Sequence, residues 1–369
     1  MTIGIDGNEA NVACKVGVSV YTSNLLHYFK SQSGENLQFI IYLRKPPLPD
    51  MPASSSFFKY EIVWGPLLWS QFFLPFHLWL YKLRGNSLNS FFSPAHYIPR
   101  WCPFKTVVTI HDLSYLYFPA EFLKKDLYQL KNWTKYSLQH ATKIIAVSKT
   151  TKKDIMHEYH MPDEKVTVIY NGYNHRQTSS SSPLPKNNFP YFLYIGTLQP
   201  RKNLNVLIAA FSQFHKTHPN YKLILAGKKG WLYESIFKQA EQLNMQESIV
   251  FPGFVTDEEK DSLYTHAAAF ILPSLYEGFG IPLLEAMAHG CPVISSFSSS
   301  LPEVGGEACL YFDPKNSADL VEKMTFLTTN VEMTKDLIRK GKKRIESFSW
   351  NETGKNTLHI LQSLNDSAI

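Results

Sequence analysis

The stretch Ser274-Leu-Tyr-Glu-Gly-Phe-Gly-Ile-Pro-Leu-Leu-Glu-Ala-Met-Ala288 decides how this chain is read. It follows an apolar run, Ala267–Leu272, of the kind that forms a buried parallel strand. Gly278 and Gly280 then make a flexible turn, and Pro282 suits the first position of a helix. A strand, a glycine turn and a helix start together build an anion site. The first N–H groups of a helix lack intrahelical partners and lie at its positive end. Glu277, in the turn, and Glu285, about one turn into the helix, are of the wrong sign for phosphate and are expected to face hydroxyls of a sugar or ribose instead. The segment reads as a nucleotide-sugar site. A similar turn also occurs in α/β proteins that bind nothing there, so support must come from the rest of the chain.

Apolar runs alternate with amphipathic stretches from end to end, the pattern of parallel sheets built from βαβ units. In the first half, strands are expected near Ile3–Asp6, Gln38–Leu43, Ser90–Phe92, Thr106–Ile110, Lys143–Val147 and Val166–Ile169, with a first helix over Val18–Lys30. A second set follows at Tyr191–Ile195, Lys222–Ala226, Ile249–Phe251, Ala268–Leu272 and Pro292–Ser295. Between the sets, Gln177–Asn188 is rich in Ser, Pro, Lys and Asn and has no apolar period, which marks a linker. The expected division is 1–176, a linker 177–188, 189–350, and a C-terminal helix over 351–369. Two such α/β domains would face a ligand cleft at the carboxyl ends of their strands.

Composition narrows the function. With 369 residues, 44% hydrophobic and 18% charged, the chain is globular and long enough for two cores. Residues 1–188 carry 20 Lys+Arg against 12 Asp+Glu, whereas residues 189–369 carry 17 against 19. A basic first half suits a membrane surface or a lipid-diphosphate acceptor, and equally a solvated surface. No basic-aromatic module of a nucleic-acid type is visible, so nucleic acid is not an expected partner. The N-terminus, MTIGIDGNEAN, lacks the basic and apolar regions of a signal peptide, and the expected location is cytoplasmic, with peripheral contact to the inner membrane surface left open. Cys14, Cys102, Cys291 and Cys309 form no C-x-x-C pair and are expected as buried free thiols, without structural zinc. The segment Ile62–Tyr81 approaches the length of a membrane span, but Pro66, Ser70, Gln71, Pro75 and His77 make it a poor one; a buried or interfacial helix from about Pro66 is expected.

Five segments in order carry a family resemblance. They are VVTIHDLSYLYFP (Val107–Pro119), IIAVSKTTKKDI (Ile144–Ile155), VTVIYNGYN (Val166–Asn174), FLYIGTLQPRKNL (Phe192–Leu204) and EGFGIPLLEAMAHGCPVI (Glu277–Ile294). Glu277 and Glu285, with seven residues between them, match the Glu-x7-Glu signature of the retaining glycosyltransferases of family 4. The chain resembles that family from about Ile3 to Trp350. HDLSYLYFP and LWSQFFLP resemble most the bacterial mannosyltransferases that extend O-antigen polysaccharide. The resemblance implies a GT-B fold, two Rossmann-like doubly wound parallel-sheet domains with the C-terminal helix returning to the first, and transfer of a hexose from a nucleotide-diphosphate donor to a saccharide or lipid-linked saccharide acceptor. Retention of configuration, with hydroxyl attack on the face from which the diphosphate leaves, is the route usually proposed for the family. GDP-mannose is the donor favoured, with a UDP-hexose such as UDP-glucose as the alternative.

The matched positions assign catalysis to His111, Arg201, Lys202 and Glu277. They assign donor contacts also to Gly17, Gly196, Val255, Gly278, Phe279, Gly280, Ile281, Leu283 and Glu285. Arg201 and Lys202 stand just before a helix start, where adjacent cations call for an anion such as a diphosphate. His111 ends a strand, and Asp112 is expected to orient its loop. Gly17 departs from pattern, because Lys15-Val-Gly-Val-Ser-Val-Tyr21 has Ser19 where the family has a second glycine. No metal or other cofactor is expected, since no Asp-x-Asp motif is present. A Rossmann dehydrogenase is disfavoured because Ile3-Gly-Ile-Asp-Gly7 is not a G-x-G-x-x-G turn. A non-catalytic sugar-nucleotide binder would be expected to have lost one of the charged site residues, and a sugar-nucleotide 2-epimerase would act on donor alone.

Overall fold

Runs rich in β-branched and aromatic residues become parallel strands here because both of their faces are covered. Ser90–Ser93, Thr106–Ile110, Ala269–Leu272 and Val293–Ser296 are buried at every position. The computed structural model describes residues 1–65, 68–173 and 189–364. Among these, β1 (Thr2–Asp6), β2 (Gln38–Leu43), β3 (Phe58–Ile62), β4 (Ser90–Ser93), β5 (Thr106–Ile110), β6 (Lys143–Ala146) and β7 (Val166–Val168) form one sheet in the order β3-β2-β1-β4-β5-β6-β7. β8 (Tyr191–Ile195), β9 (Lys222–Ala226), β10 (Ile249–Gly253), β11 (Ala269–Leu272), β12 (Val293–Ser296) and β13 (Cys309–Phe312) form a second, in the order β10-β9-β8-β11-β12-β13. Neighbouring strands are parallel throughout both sheets. In each, the strand order reverses beside the first strand, at β1/β4 and at β8/β11. Loops leaving the carboxyl ends there part from one another and open a crevice.

Both sheets are α/β and Rossmann-like, as expected, but each has one more strand than the sequence suggested. β3 and β13 are edge strands. β3 carries Lys59 and Glu61 on exposed positions, and the middle residues of β13, Leu310 and Tyr311, are only half-buried, so neither shows the fully covered apolar run of a central strand.

The chain forms two compact units. One comprises Met1–Leu116, Lys124–Gly172 and Phe348–Ile369; the other comprises Tyr117–Leu123 and Tyr173–Ser347. The linker expected at 177–188 lies outside the described residues. Tyr117–Leu123 departs from a simple division near residue 176, because Tyr117 and Phe118 pack on Tyr276, with ring centroids 5.4 and 6.4 Å apart. The C-terminal helix, Trp350–Ser363, packs in the first unit. Thr353 donates to the Tyr170 carbonyl at 2.8 Å, and Lys105 donates to the Leu364 carbonyl at 2.6 Å.

Within Ile62–Tyr81 the helix starts later than expected. It spans Phe73–Leu83, while Pro66 lies outside the described residues. No helix among the described residues is long and apolar enough to cross a membrane. All four cysteines are free; Cys291 and Cys309 are buried, but Cys14 is exposed.

Gly354 tests the packing of the last helix on the first, Val18–Gln32. Helix propensity alone favours Gly354→Ala by about 1 kcal/mol. A Cβ there, however, would lie 2.3 Å from Cγ of the Tyr28 ring. Overpacking wins, and the variant is expected to lose about 2 kcal/mol in urea denaturation.

Candidate active site

The site in the second unit is built where the sheet reverses. β8 leads into Gly196–Asn203 and β11 into Pro273–Gly280, and the two strands are hydrogen-bonded neighbours. Their loops therefore leave side by side. Gly196 has φ 159°, and a Cβ on it would meet the Tyr194 hydroxyl at 2.6 Å. Pro200–Lys202 form a single 3-10 turn, after which Asn203 adopts a left-handed conformation and precedes the helix Leu204–His215. The Asn203 amide donates to the carbonyls of Pro273 and Pro314, at 3.1 and 2.8 Å, tying the first loop to the second.

Three predicted residues meet here. Lys202 Nζ donates to Glu277 Oε1 at 2.5 Å, and Arg201 Nη1 lies 3.7 Å from Glu277 Oε2. Arg201 also donates to the Tyr276 carbonyl at 2.6 Å, and Ser274 Oγ donates to Glu277 Oε1 at 2.6 Å. Burial pushes the Glu277 carboxyl up, but Lys202 and Arg201, with hydrogen bonds from Lys202 and Ser274, outweigh it and hold the group below its ordinary value. The cations thus have a counter-ion of the chain's own, where the sequence pointed only to a bound diphosphate. They have a second in Glu121, whose carboxylate accepts the Arg201 backbone N–H and faces both cations; burial nonetheless pushes its own value up.

Past Gly278, Gly280 takes φ 107° and caps the helix Ile281–Ala288, and a Cβ there would sit 2.8 Å from Leu301. Phe279 and Leu283 turn their side chains into the core, so only their backbone faces the turn. The Leu283 N–H is already bonded to the Gly280 carbonyl at 3.0 Å, which removes it from the N–H groups expected to cradle a phosphate. Ser299 and Ser300 brace the turn: Ser299 Oγ accepts the Glu277 N–H at 2.8 Å, and Ser300 Oγ lies 2.8 and 2.9 Å from the carbonyls of Glu277 and Phe279. Glu285 lies about one turn into its helix, as expected. It accepts from Lys260 Nζ at 2.9 Å and from the Tyr264 hydroxyl at 3.1 Å. Val255 is half-buried, one residue before Thr256, which caps the helix Asp257–His266 in a capping box with Glu259.

Gly17 and His111 belong to the other unit. Gly17 has φ 51° before the helix Val18–Gln32, and nothing crowds its Cα; the turn needs glycine for its dihedral, not for space. His111 leaves β5 and packs edge-on to Tyr21, with ring centroids 4.8 Å apart. Its Nε2 donates to the Pro94 carbonyl at 2.7 Å, which leaves Nδ1 as the acceptor of a neutral ring. Burial, then the charge of nearby His96, push its pKa down to about 4. Asp112 Oδ1 accepts from the Ser114 N–H and hydroxyl, at 2.9 and 2.7 Å, and so orients the loop. Ser148 caps the helix Lys149–Tyr159.

Sequence reasoning missed Glu121, Asn203, Ser274, Lys260, Tyr264 and the Ser299–Ser300 pair. Lys260 and Tyr264, four apart, share a helix face and were findable; Glu121 had no local signal. Among the described residues no three His, Cys, Asp or Glu side chains gather as a metal site.

Two parallel sheets of this order, with paired cations and carboxylates at a switch point, define a glycosyltransferase of GT-B architecture. The chain belongs to glycosyltransferase family 4. "Glycosyltransferase Family 4" matches residues 17–177, and "Glycosyl transferases group 1" matches residues 175–344. The O-antigen chain mannosyltransferase B of Escherichia coli is 31% identical over 294 residues, 77% of each chain. Sucrose-phosphate synthase from Thermosynechococcus elongatus superposes with TM-score 0.77 over 100% of both chains at 19% identity. Anabaena HepE, solved with UDP and glucose, gives 0.73 over 98% of this chain and 99% of its own at 17% identity.

Two measurements check the electrostatics. Lys202→Met leaves Glu277 short of a cation and is expected to cost about 2 kcal/mol near neutral pH. Because the Glu277 carboxyl is held below its ordinary 4.5, its stabilising contribution is complete above that pH and is lost as pH falls through the depressed value. The gap between variant and native melting should therefore narrow in acid. For His111, lowered from 6.5 to about 4, the neutral ring favours the folded chain above pH 6.5, and that contribution declines as pH falls toward 4. Its imidazole resonances should show the Nε2–H tautomer and no titration between pH 8 and about pH 5.

Proposed function

We propose that the protein transfers mannose from GDP-mannose, with retention of configuration, to a saccharide or lipid-linked saccharide in the synthesis of O-antigen-type polysaccharide. The observation that carries this reading is the convergence of Arg201, Lys202 and Glu277 from two loops at the β8/β11 reversal. The mannosyltransferase relative supports the choice of sugar. The reaction is placed at the cytoplasmic face of the membrane, where nucleotide donor and lipid-linked acceptor meet.

A diphosphate carries more charge than a carboxylate, so it competes for the donors of Arg201 and Lys202. Bound there, it would be stabilised as the sugar–oxygen bond breaks and negative charge grows on the leaving phosphate. Glu277, released from part of its pairing, accepts from sugar hydroxyls. The acceptor hydroxyl attacks C1 from the departing side, and the leaving phosphate oxygen takes its proton. Glu285 accepts from ribose hydroxyls, with Lys260 and Tyr264 holding it in place. Neutral His111 keeps the catalytic role that the resemblance assigns it, as a hydrogen-bonding group. The reading calls for no metal ion, and turnover that persists in EDTA checks that point. A second reading, a UDP-hexose donor, draws support from the fold neighbour solved with UDP and glucose.

A thermal-shift series with GDP, GDP-mannose, UDP and UDP-glucose tests the donor, since a ligand of the native state raises the melting temperature by mass action. GDP and GDP-mannose are expected to stabilise the protein and the uridine set is not; the reverse pattern transfers the proposal to a UDP-hexose. Arg201→Ala/Lys202→Ala should cut transfer by roughly a hundredfold or more while leaving the fold intact. Near-normal turnover by that variant would sink the assignment.

A further inference from the structure

We propose that the solvent-facing stripe of the helix Phe73–Leu83 docks the first unit on an anionic bilayer surface. Phe72, Phe76, Trp79 and Leu83 recur at intervals of three and four and share one helix face. All four are exposed, Phe76 by 66% and Leu83 by 76%. On the opposite side Leu74 and Leu78 are fully buried against Tyr42, Trp69, Leu88 and Phe91. The helix is therefore apolar twice over. One side is satisfied by the core, and the other is left to solvent.

The stripe continues beyond the helix. Trp64 and Trp101 are 86% and 63% exposed. Trp79 Nε1 donates to the Trp101 carbonyl at 2.8 Å, and Lys82 Nζ donates to the Pro103 carbonyl at 3.2 Å. These bonds fix the aromatic loop beside the helix.

Charge selects the occupant. Residues 62–111 contain no Asp or Glu, but include Lys82, Arg84, Arg100 and Lys105. The preceding acid, Glu61, lies 3.5 Å from His77. Lys82 and Arg84 are exposed beside the apolar stripe. An amphipathic face rich in Trp and Phe and edged by cations is matched by an anionic lipid surface: rings enter the headgroup boundary while ammonium and guanidinium groups meet lipid phosphates. At eleven residues the helix lies in the interface and does not cross it. The docking argument is independent of the donor; only its link to a lipid-linked acceptor rests on the proposed function.

Flotation of the full chain with vesicles of phosphatidylethanolamine and phosphatidylglycerol, against phosphatidylcholine alone, tests the idea. The native protein should float with the anionic vesicles and release with salt. Phe76→Ser/Trp79→Ser and, separately, Lys82→Glu/Arg84→Glu should each weaken partitioning at least about tenfold. Lys82 also donates to the Pro103 carbonyl, so Arg84→Glu alone, which leaves that bond in place, decides the matter if either double variant folds poorly. Equal flotation of native and charge-reversed protein, or no preference for anionic vesicles, overturns the proposal. So does a concentration-dependent dimer that Phe76→Ser/Trp79→Ser dissolves, since the face would then belong to a second copy. A GDP shift of melting temperature read on the same samples keeps donor binding separate from membrane binding.

Discussion

The pairing of β8 with β11 is the constraint on which the site depends. These strands are hydrogen-bonded neighbours although more than seventy residues separate them in the chain, and the loops that follow them must emerge together. Lys202 and Glu277 meet only for that reason. The approach is close enough to govern residue choice elsewhere. A Cβ at Gly227, at the end of β9, would lie 1.9 Å from the Gly196 carbonyl oxygen. The glycine after the neighbouring strand is thus part of the same packing, because the backbone itself fills the space a side chain would need.

The charge cluster that results is mostly shielded from water. Removing a carboxylate or an ammonium from water costs several kcal/mol per ion, so such a group persists only with good partners. Glu277 has two cations and the Ser274 hydroxyl; Glu285 has Lys260 and the Tyr264 hydroxyl. A pre-formed cluster of this sort contributes little net stability, but it holds cations in place before a ligand arrives. That is useful for stabilising charge that develops during a reaction, since the donors need no reorganisation at that moment. Glu121 extends the arrangement, and it comes from Tyr117–Leu123, a segment only a few residues beyond His111 and Asp112.

Much of the fold was legible in sequence because central parallel strands are short apolar runs covered on both faces. Edge strands β3 and β13 were missed, since segments covered over only part of their length lack that signature. The helix expected from Pro66 begins at Phe73 instead, as Leu68–Phe72 turn before it; apolar composition without a cap signal did not place its start. At the site, the glycines, cations and carboxylates were legible because helix starts and glycine turns have local chemistry. Asn203 and Glu121 were not, since each acts through partners distant in the chain.

Sequence alone determined the α/β class, the family resemblance and the residue types at the site, all of which follow from local periodicity and from short motifs with their own chemistry. Tertiary structure decided which charges meet. Glu277 was expected to face sugar hydroxyls, and the folded chain adds a role that its sequence position did not show, as the counter-ion of Lys202 and Arg201. The reason is physical: a hydrophobic period specifies which face of a strand or helix is buried, but the partner of a buried charge depends on strand order, and strand order is a property of the whole sheet.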